Sequence, residues 1–188
     1  MQADVHSLMQ QGNQHLNSGN LSAAKSIYLD VINKNSSESD AFFGLGWIAF
    51  KEKQLESACE YLRKANEIQP LNKNYLNGLT DIYVQTGQIK AATNLLQHYL
   101  KSEPTQADIY FKYANLLART QQTELAIDAF KQCIQLKPQE LALYMSLGQI
   151  FYHLGRYRDA QANYLDARSK GLKNEGLYLN IAKLHSDF

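Results

Sequence analysis

The sequence predicts an all-α protein built from a repeated helix–turn–helix pair, and three observations carry that prediction. The prolines of the chain, Pro70, Pro104 and Pro138, lie 34 residues apart, twice over. Five alanines, Ala24, Ala58, Ala92, Ala126 and Ala160, keep the same interval. Between these markers the apolar residues recur at helical spacing and never alternate as a strand requires. A fixed period of this size marks an array of stacked units rather than one globular core.

A frame of 34 started at Val5 gives units 5–38, 39–72, 73–106, 107–140 and 141–174, with residues 1–4 as an extension and 175–188 as the first helix of a sixth unit. The fourth place of each unit is large: Leu8, Phe42, Leu76, Tyr110, Tyr144 and Tyr178. The eighth is small: Gly12, Gly46, Thr80, Ala114, Gly148 and Ala182. A turn follows at the fifteenth place, at Gly19, Gly87 and Gly155, with Lys53 and Gln121 in the other two units. The second helix begins after it and carries the invariant alanine, where a small side chain lets two helices approach. Four residues on come Tyr28, Leu62, Leu96, Phe130 and Tyr164. The prolines then stop the second helix before the next unit begins.

These residues resemble the tetratricopeptide repeat, whose pattern is Trp-x2-Leu-Gly-x2-Tyr, then Ala-x3-Phe, then Pro. The second unit reads Phe42-x2-Leu45-Gly46-x2-Ala49, Ala58-x3-Leu62, Pro70; the fifth reads Tyr144-x2-Leu147-Gly148-x2-Phe151, Ala160-x3-Tyr164. The resemblance covers residues 5–188. Thr80, Tyr99, Ser36 and Leu172 depart from it. It implies a right-handed superhelical solenoid whose concave wall is lined by the first helix of each unit, and a protein or peptide as partner.

One stripe of the first helix is expected to face the preceding unit. It is polar in the first unit (Ser7, Gln11, Gln14, Ser18) and apolar in the last (Leu177, Ile181, Leu184, Phe188), so the amino end reads as a cap. Tyr178, Ala182 and His185 look like a face awaiting a further helix. Two readings stand: a lone capping helix, or a piece of a longer protein. Self-association through this helix is a further expectation.

The places left for the concave wall hold Met9 and Asn13; Phe43, Trp47 and Phe50; Asn77 and Asp81; Phe111 and Asn115; Met145, Gln149 and Tyr152. Aromatic and methionine side chains suit adaptable protein-binding surfaces. The amides suit an extended backbone, because each both donates and accepts. Plain solvation explains Asn13, Asn77 and Asn115 equally well, and Asp81 reads as a solvated carboxylate or as repulsion for an acidic partner. Leu16, Val84 and Ala118 read as packing. Some relatives grip acidic carboxyl tails with lysine, arginine and asparagine; here Met9, Gly44, Asn74 and Gly78 occupy most of those places and only Asn13 matches, which argues against that function.

Other chemistry is not indicated. The net charge of +1 offers no footprint for nucleic acid. The longest apolar run, around Ile48-Ala49-Phe50, is far too short for a membrane span. No export signal is visible near Met1, and two cysteines, Cys59 and Cys133, suit a reducing compartment, so a cytoplasmic location is expected. His6, His15, His98, His153 and His185 lack metal-ligand spacing, so no metal and no cofactor are expected; His15 and His185 fall at packing places. Glu38, Asp40, Glu52, Glu56 and Glu60 read as a solvated face. The sequence therefore predicts a non-catalytic interaction scaffold or adaptor. The alternative is the substrate-recognition arm of a longer bacterial enzyme, because arrays of this kind are often joined to glycosyltransferase or sulfotransferase domains.

Overall fold

The computed structural model describes residues 2–186, with side chains from 4 to 184. Phe188 and the side chain of His185 lie outside the described residues. Eleven α-helices and no strands occur among the described residues. They are α1 (Gln2–Asn17), α2 (Leu21–Lys34), α3 (Ser39–Lys51), α4 (Leu55–Ile68), α5 (Lys73–Gln85), α6 (Ile89–Ser102), α7 (Ala107–Arg119), α8 (Thr123–Leu136), α9 (Leu141–His153), α10 (Tyr157–Ser169) and α11 (Glu175–Ser186).

The chain forms two compact units, Met1–Leu95 and Leu96–Phe188, whose division falls inside α6. In the first unit α1 to α4 each pack on the next helix, and in the second α7 to α10 do the same. The neighbour-facing stripe is buried where a preceding helix pair exists: Ala41, Leu45 and Ile48 in α3, and Leu143 and Leu147 in α9. In α1 the corresponding Ser7, Gln11, Gln14 and Ser18 are all exposed. Leu177, Ile181 and Leu184 of α11 are buried against α9 and α10, whereas Tyr178 is 49% exposed. His15 is half-buried, as its packing place suggested. Ala118 is exposed and does not pack as expected.

Each pair closes with the same backbone device. Gly19, Lys53, Gly87, Gln121, Gly155 and Gly171 all have φ between 60° and 79°. The next residue's N–H reaches back to a carbonyl in the last turn of the helix: Gln54 to Ala49 at 2.8 Å, Gln122 to Leu117 at 3.0 Å and Arg156 to Phe151 at 2.9 Å. This is the Schellman closure, which needs a left-handed residue. Lys53 (φ 61°) and Gln121 (φ 60°) adopt that conformation with a Cβ, which costs about 1 kcal/mol or more each. Lys53→Gly and Gln121→Gly are accordingly expected to stabilise their units by about 0.5–1 kcal/mol despite glycine's greater unfolded-state entropy. Urea denaturation of each variant checks this.

Small residues at the eighth place set how closely the helices of a pair approach. A Cβ on Gly148 would lie 2.3 Å from the Tyr164 ring, and one on Gly12 would lie 2.6 Å from Tyr28. A Cβ on Gly44 would also meet Tyr28, on its other edge, at 2.6 Å. Tyr28 is 1% exposed and sits in a slot between α1 and α3 that only two glycines leave open. Leu62 fills a shallower version of that slot, between Gly46 (2.7 Å) and Gly78 (3.3 Å). The column holding Val31, Ala65, Tyr99, Cys133 and Ala167 is buried throughout.

Candidate functional site

In the first unit α3 aligns Asp40, Phe43, Trp47 and Phe50 along one face, because intervals of three and four residues return to the same side of a helix. Phe43, Trp47 and Phe50 form one wall of a cleft of about 400 Å³, Gly78 and Val84 of α5 lie on the other, and Leu62 and Ile82 line its floor. The missing side chain of Gly78 lets α5 come close: a Cβ there would touch Leu62 and Phe43, each at 3.3 Å. The Phe43 ring stacks at 36° on Tyr75 with centroids 5.1 Å apart. Trp47 is 38% exposed, and the Lys51 ammonium lies 4.8 Å from its ring centroid. Asp81 stands at the edge of the same cleft, exposed.

A wider concavity of about 720 Å³ opens beside the start of α3. Met9 and Asn13 of α1 line it together with Asp4, Lys34, Glu38 and Asp40. Met9 is only 9% exposed and belongs to the core around Tyr28 and Val31. Asp4 pairs with Lys34 at 2.6 Å, which holds its carboxyl below the usual range. Asp40 accepts from the Tyr75 hydroxyl and Glu38 from the Asn35 amide. Glu52 pairs with Lys25 at 2.8 Å. Of the five carboxylates expected to form a solvated face, Glu38, Asp40 and Glu52 therefore take protein donors.

The amides are partly committed. Asn13 accepts from the Tyr28 hydroxyl at 2.7 Å, and Asn115 donates to its own helix at Phe111 O, also at 2.7 Å. The Oδ1 of Asn77 is buried with no hydrogen-bond partner. Of the groups on Asn13 and Asn115, the Asn13 amide nitrogen and the Asn115 carbonyl oxygen remain for a ligand. In the second unit Phe111 packs edge-on against Phe130 with centroids 5.9 Å apart, and it lines a cleft of about 220 Å³ with Ala107, Asp108 and Leu143. Met145 is half-buried, with the Asn180 amide 4.0 Å from its sulfur. Gln149 is exposed, and Tyr152 lies under the Lys183 ammonium, 4.5 Å from the ring centroid.

Sequence reasoning missed the role of Asp40, which joins the two concavities of the first unit through Tyr75. A carboxylate three residues before Phe43 on the same face was the available signal. Burial, reinforced by Asp40, pushes the Tyr75 phenol up to about 12; burial likewise, with Asp40 again contributing, pushes Tyr28 up to about 12. Both phenols ionise near pH 10 when unfolded, so their contribution to stability is complete below about pH 10 and disappears between about pH 10 and 12. Denaturant midpoints across that range are expected to fall steeply, and Tyr28→Phe with Tyr75→Phe is expected to flatten the slope.

Reactive groups are few. Burial pushes the Cys133 thiol up to about 12, and its Sγ donates to Ala107 O at 3.4 Å. The Arg63 guanidinium donates to Cys59 Sγ at 3.6 Å. Among the described residues no cluster of three histidine, cysteine or carboxylate side chains is placed to hold a metal ion, and no helix is long and apolar enough to cross a membrane.

Comparison with known proteins agrees with this architecture. Three family models described as tetratricopeptide repeat match residues 9–73, 49–120 and 107–140. Among curated relatives, the Protein CTR9 homolog of Arabidopsis thaliana is 24% identical over 176 residues, covering 89% of this chain and 16% of that protein. The Protein O-mannosyl-transferase TMTC3 of Homo sapiens is 21% identical over 174 residues, covering 85% of this chain and 19% of that protein. The chain thus spans less than a fifth of the length of either relative. Among solved structures, MamA superposes with a TM-score of 0.75 at 20% identity, covering 90% of this chain and 93% of that one. YrrB, described as a TPR protein with an unusual peptide-binding site, gives 0.72 at 18% identity, covering 94% and 90%. The expected all-helical repeat fold is the fold of these neighbours.

Proposed function

Because the chain belongs to the tetratricopeptide repeat family, we propose that it is a non-catalytic interaction module that holds a segment of a partner protein on the inner faces of its first helices. The observation that supports this most is the cleft between α3 and α5. It joins three aromatic side chains on one wall to an apolar floor, and its tryptophan is 38% exposed. Apolar side chains that could pack inward are instead held open on a rigid helix pair, the arrangement of an anchor pocket. Asn13 and Asn115 supply backbone contacts with the amide groups they have left. Asn77 and Asp81 of α5 are further polar contacts of the first unit. Phe111, Met145 and Tyr152 form the corresponding face of the second unit, with Gln149 as a polar contact. The repeat register 5–38 to 141–174 underlies this assignment. In support, α3, α5, α7 and α9 begin at Ser39, Lys73, Ala107 and Leu141. The two cysteines are free and buried, which fits a cytoplasmic location.

The test compares partner capture by the unaltered chain with capture by a Phe43→Ala, Trp47→Ala variant that retains the helical circular dichroism of the parent. Loss of the captured protein supports the cleft; undiminished capture moves the site elsewhere on the repeats.

A second reading rests on the match to an O-mannosyl-transferase of which this chain covers 19%. In that reading the same cleft presents protein substrates to a catalytic domain of a longer enzyme. Detection of the native polypeptide in source cells at a mass far above 21.4 kDa favours it.

A further inference from the structure

We infer that the segment held on the first unit is amphipathic and charged in a fixed order, with a basic side chain over the start of α3 and an apolar anchor in the cleft beyond it. The inference rests on the reading of that cleft as a partner site and names the chemistry of what fills it. Along one face α3 runs from an acidic pole to an aromatic stretch. At the acidic pole three carboxylates, Asp4, Glu38 and Asp40, share their concavity with one lysine, Lys34, which leaves two negative charges when His6 is neutral. Asp40 gives one oxygen to Tyr75 and remains exposed. The aromatic cleft is lined by no cationic residue and by one carboxylate, Asp81, against the two net negative charges of the acidic pole. At the far end of α3 the Lys51 ammonium lies over Trp47.

These charges give the surface a direction. A cationic side chain is attracted at Asp40 and Glu38 and repelled at Lys51, so the orientation with the basic end over the start of α3 is favoured, although the single Asp81 carboxylate at the cleft edge offsets part of the Lys51 repulsion. Helix geometry sets the spacing. Asp40 and Trp47 are seven residues apart, about 10 Å along the axis, which an extended peptide covers in about three residues. A basic residue about three positions from a leucine or phenylalanine therefore fits both places at once.

The test uses fluorescein-labelled short peptides in polarisation titrations at low and moderate salt. One carries lysines at one end and leucines at the other, a second has glutamate for lysine, and a third has serine. The expected result is preferential binding of the lysine peptide, weakened by salt. A Glu38→Gln, Asp40→Asn variant, which keeps acceptors for Asn35 and Tyr75, is expected to weaken it by about five-fold. Trp47→Ala is expected to weaken it by about ten-fold or more. If all three peptides bind alike and depend on Trp47, the charge inference is wrong and the cleft reading stands. If no peptide binds, or binding ignores Trp47→Ala, both are wrong. Thermal unfolding of each variant separates lost binding from lost fold.

Discussion

Gly148→Ala is expected to destabilise the Leu96–Phe188 unit by about 2–3 kcal/mol, at the upper end of what core overpacking costs. In most helices the same substitution would help slightly, because alanine is the better helix former by about 1 kcal/mol. Here the added Cβ falls 2.3 Å from both Cε1 and Cζ of Tyr164 and 2.6 Å from its hydroxyl oxygen. Tyr164 is 2% exposed, and its hydroxyl is held by the Asn180 amide at 3.2 Å, so the ring cannot swing away. The fourth repeat holds an alanine at the same place. There Ala114 faces Phe130, both buried, and the alanine is accommodated opposite a ring without a hydroxyl. Phenylalanine keeps the Cε1 and Cζ carbons but loses the hydroxyl and its tether to Asn180, so adding Tyr164→Phe to Gly148→Ala is expected to recover part of the loss. A double-mutant cycle in urea measures the coupling, and a recovery of zero would show that backbone spacing, not the ring, limits the site.

The Phe43→Ala, Trp47→Ala variant is expected to reduce partner affinity by about a hundred-fold, since two central aromatics each contribute about 1–2 kcal/mol or more at an anchor pocket. Stability is affected unequally by the two. Trp47 is exposed and touches Lys51, so its removal costs the fold little. Phe43 stacks on the buried Tyr75 and partly covers the core around Leu62, so its removal costs about 1–2 kcal/mol. Affinity of the single variants separates the roles. Trp47→Ala tests the pocket alone, and Phe43→Ala tests pocket and packing together.

Much of the fold was legible because repeats state each constraint several times. The turn could be read at Gly19, Gly87 and Gly155, and the same place put Lys53 and Gln121 at the turns of the other two units; that both adopt the left-handed conformation shows only in the backbone. The polar stripe of α1 identified the unpaired face directly. What could not be read lies between columns. Gly44 and Gly78 were noticed only as places lacking a clamp residue, but they form the second side of the slots for Tyr28 and Leu62. That role emerges only when a residue at one place is compared with its neighbour in the next repeat. The hydrogen bond from Tyr75 to Asp40 spans 35 residues and depends on side-chain reach, which periodicity does not encode. The amides show the same limit. Asn13, Asn77 and Asn115 share a face by register, yet whether each points out or bonds inward is settled locally by Tyr28, by burial and by the Phe111 carbonyl.

The central claim is that the α3–α5 cleft holds the partner, and site-specific photocrosslinking tests it most directly. A benzophenone amino acid in place of Trp47 samples the cleft. The same group in place of Leu29, an exposed residue on α2, samples a surface outside it. Crosslinking of a partner protein in source cells from the Trp47 position, and not from the Leu29 position, is the predicted result. A partner captured from the Leu29 position alone would contradict the claim and place the interaction on the second helices.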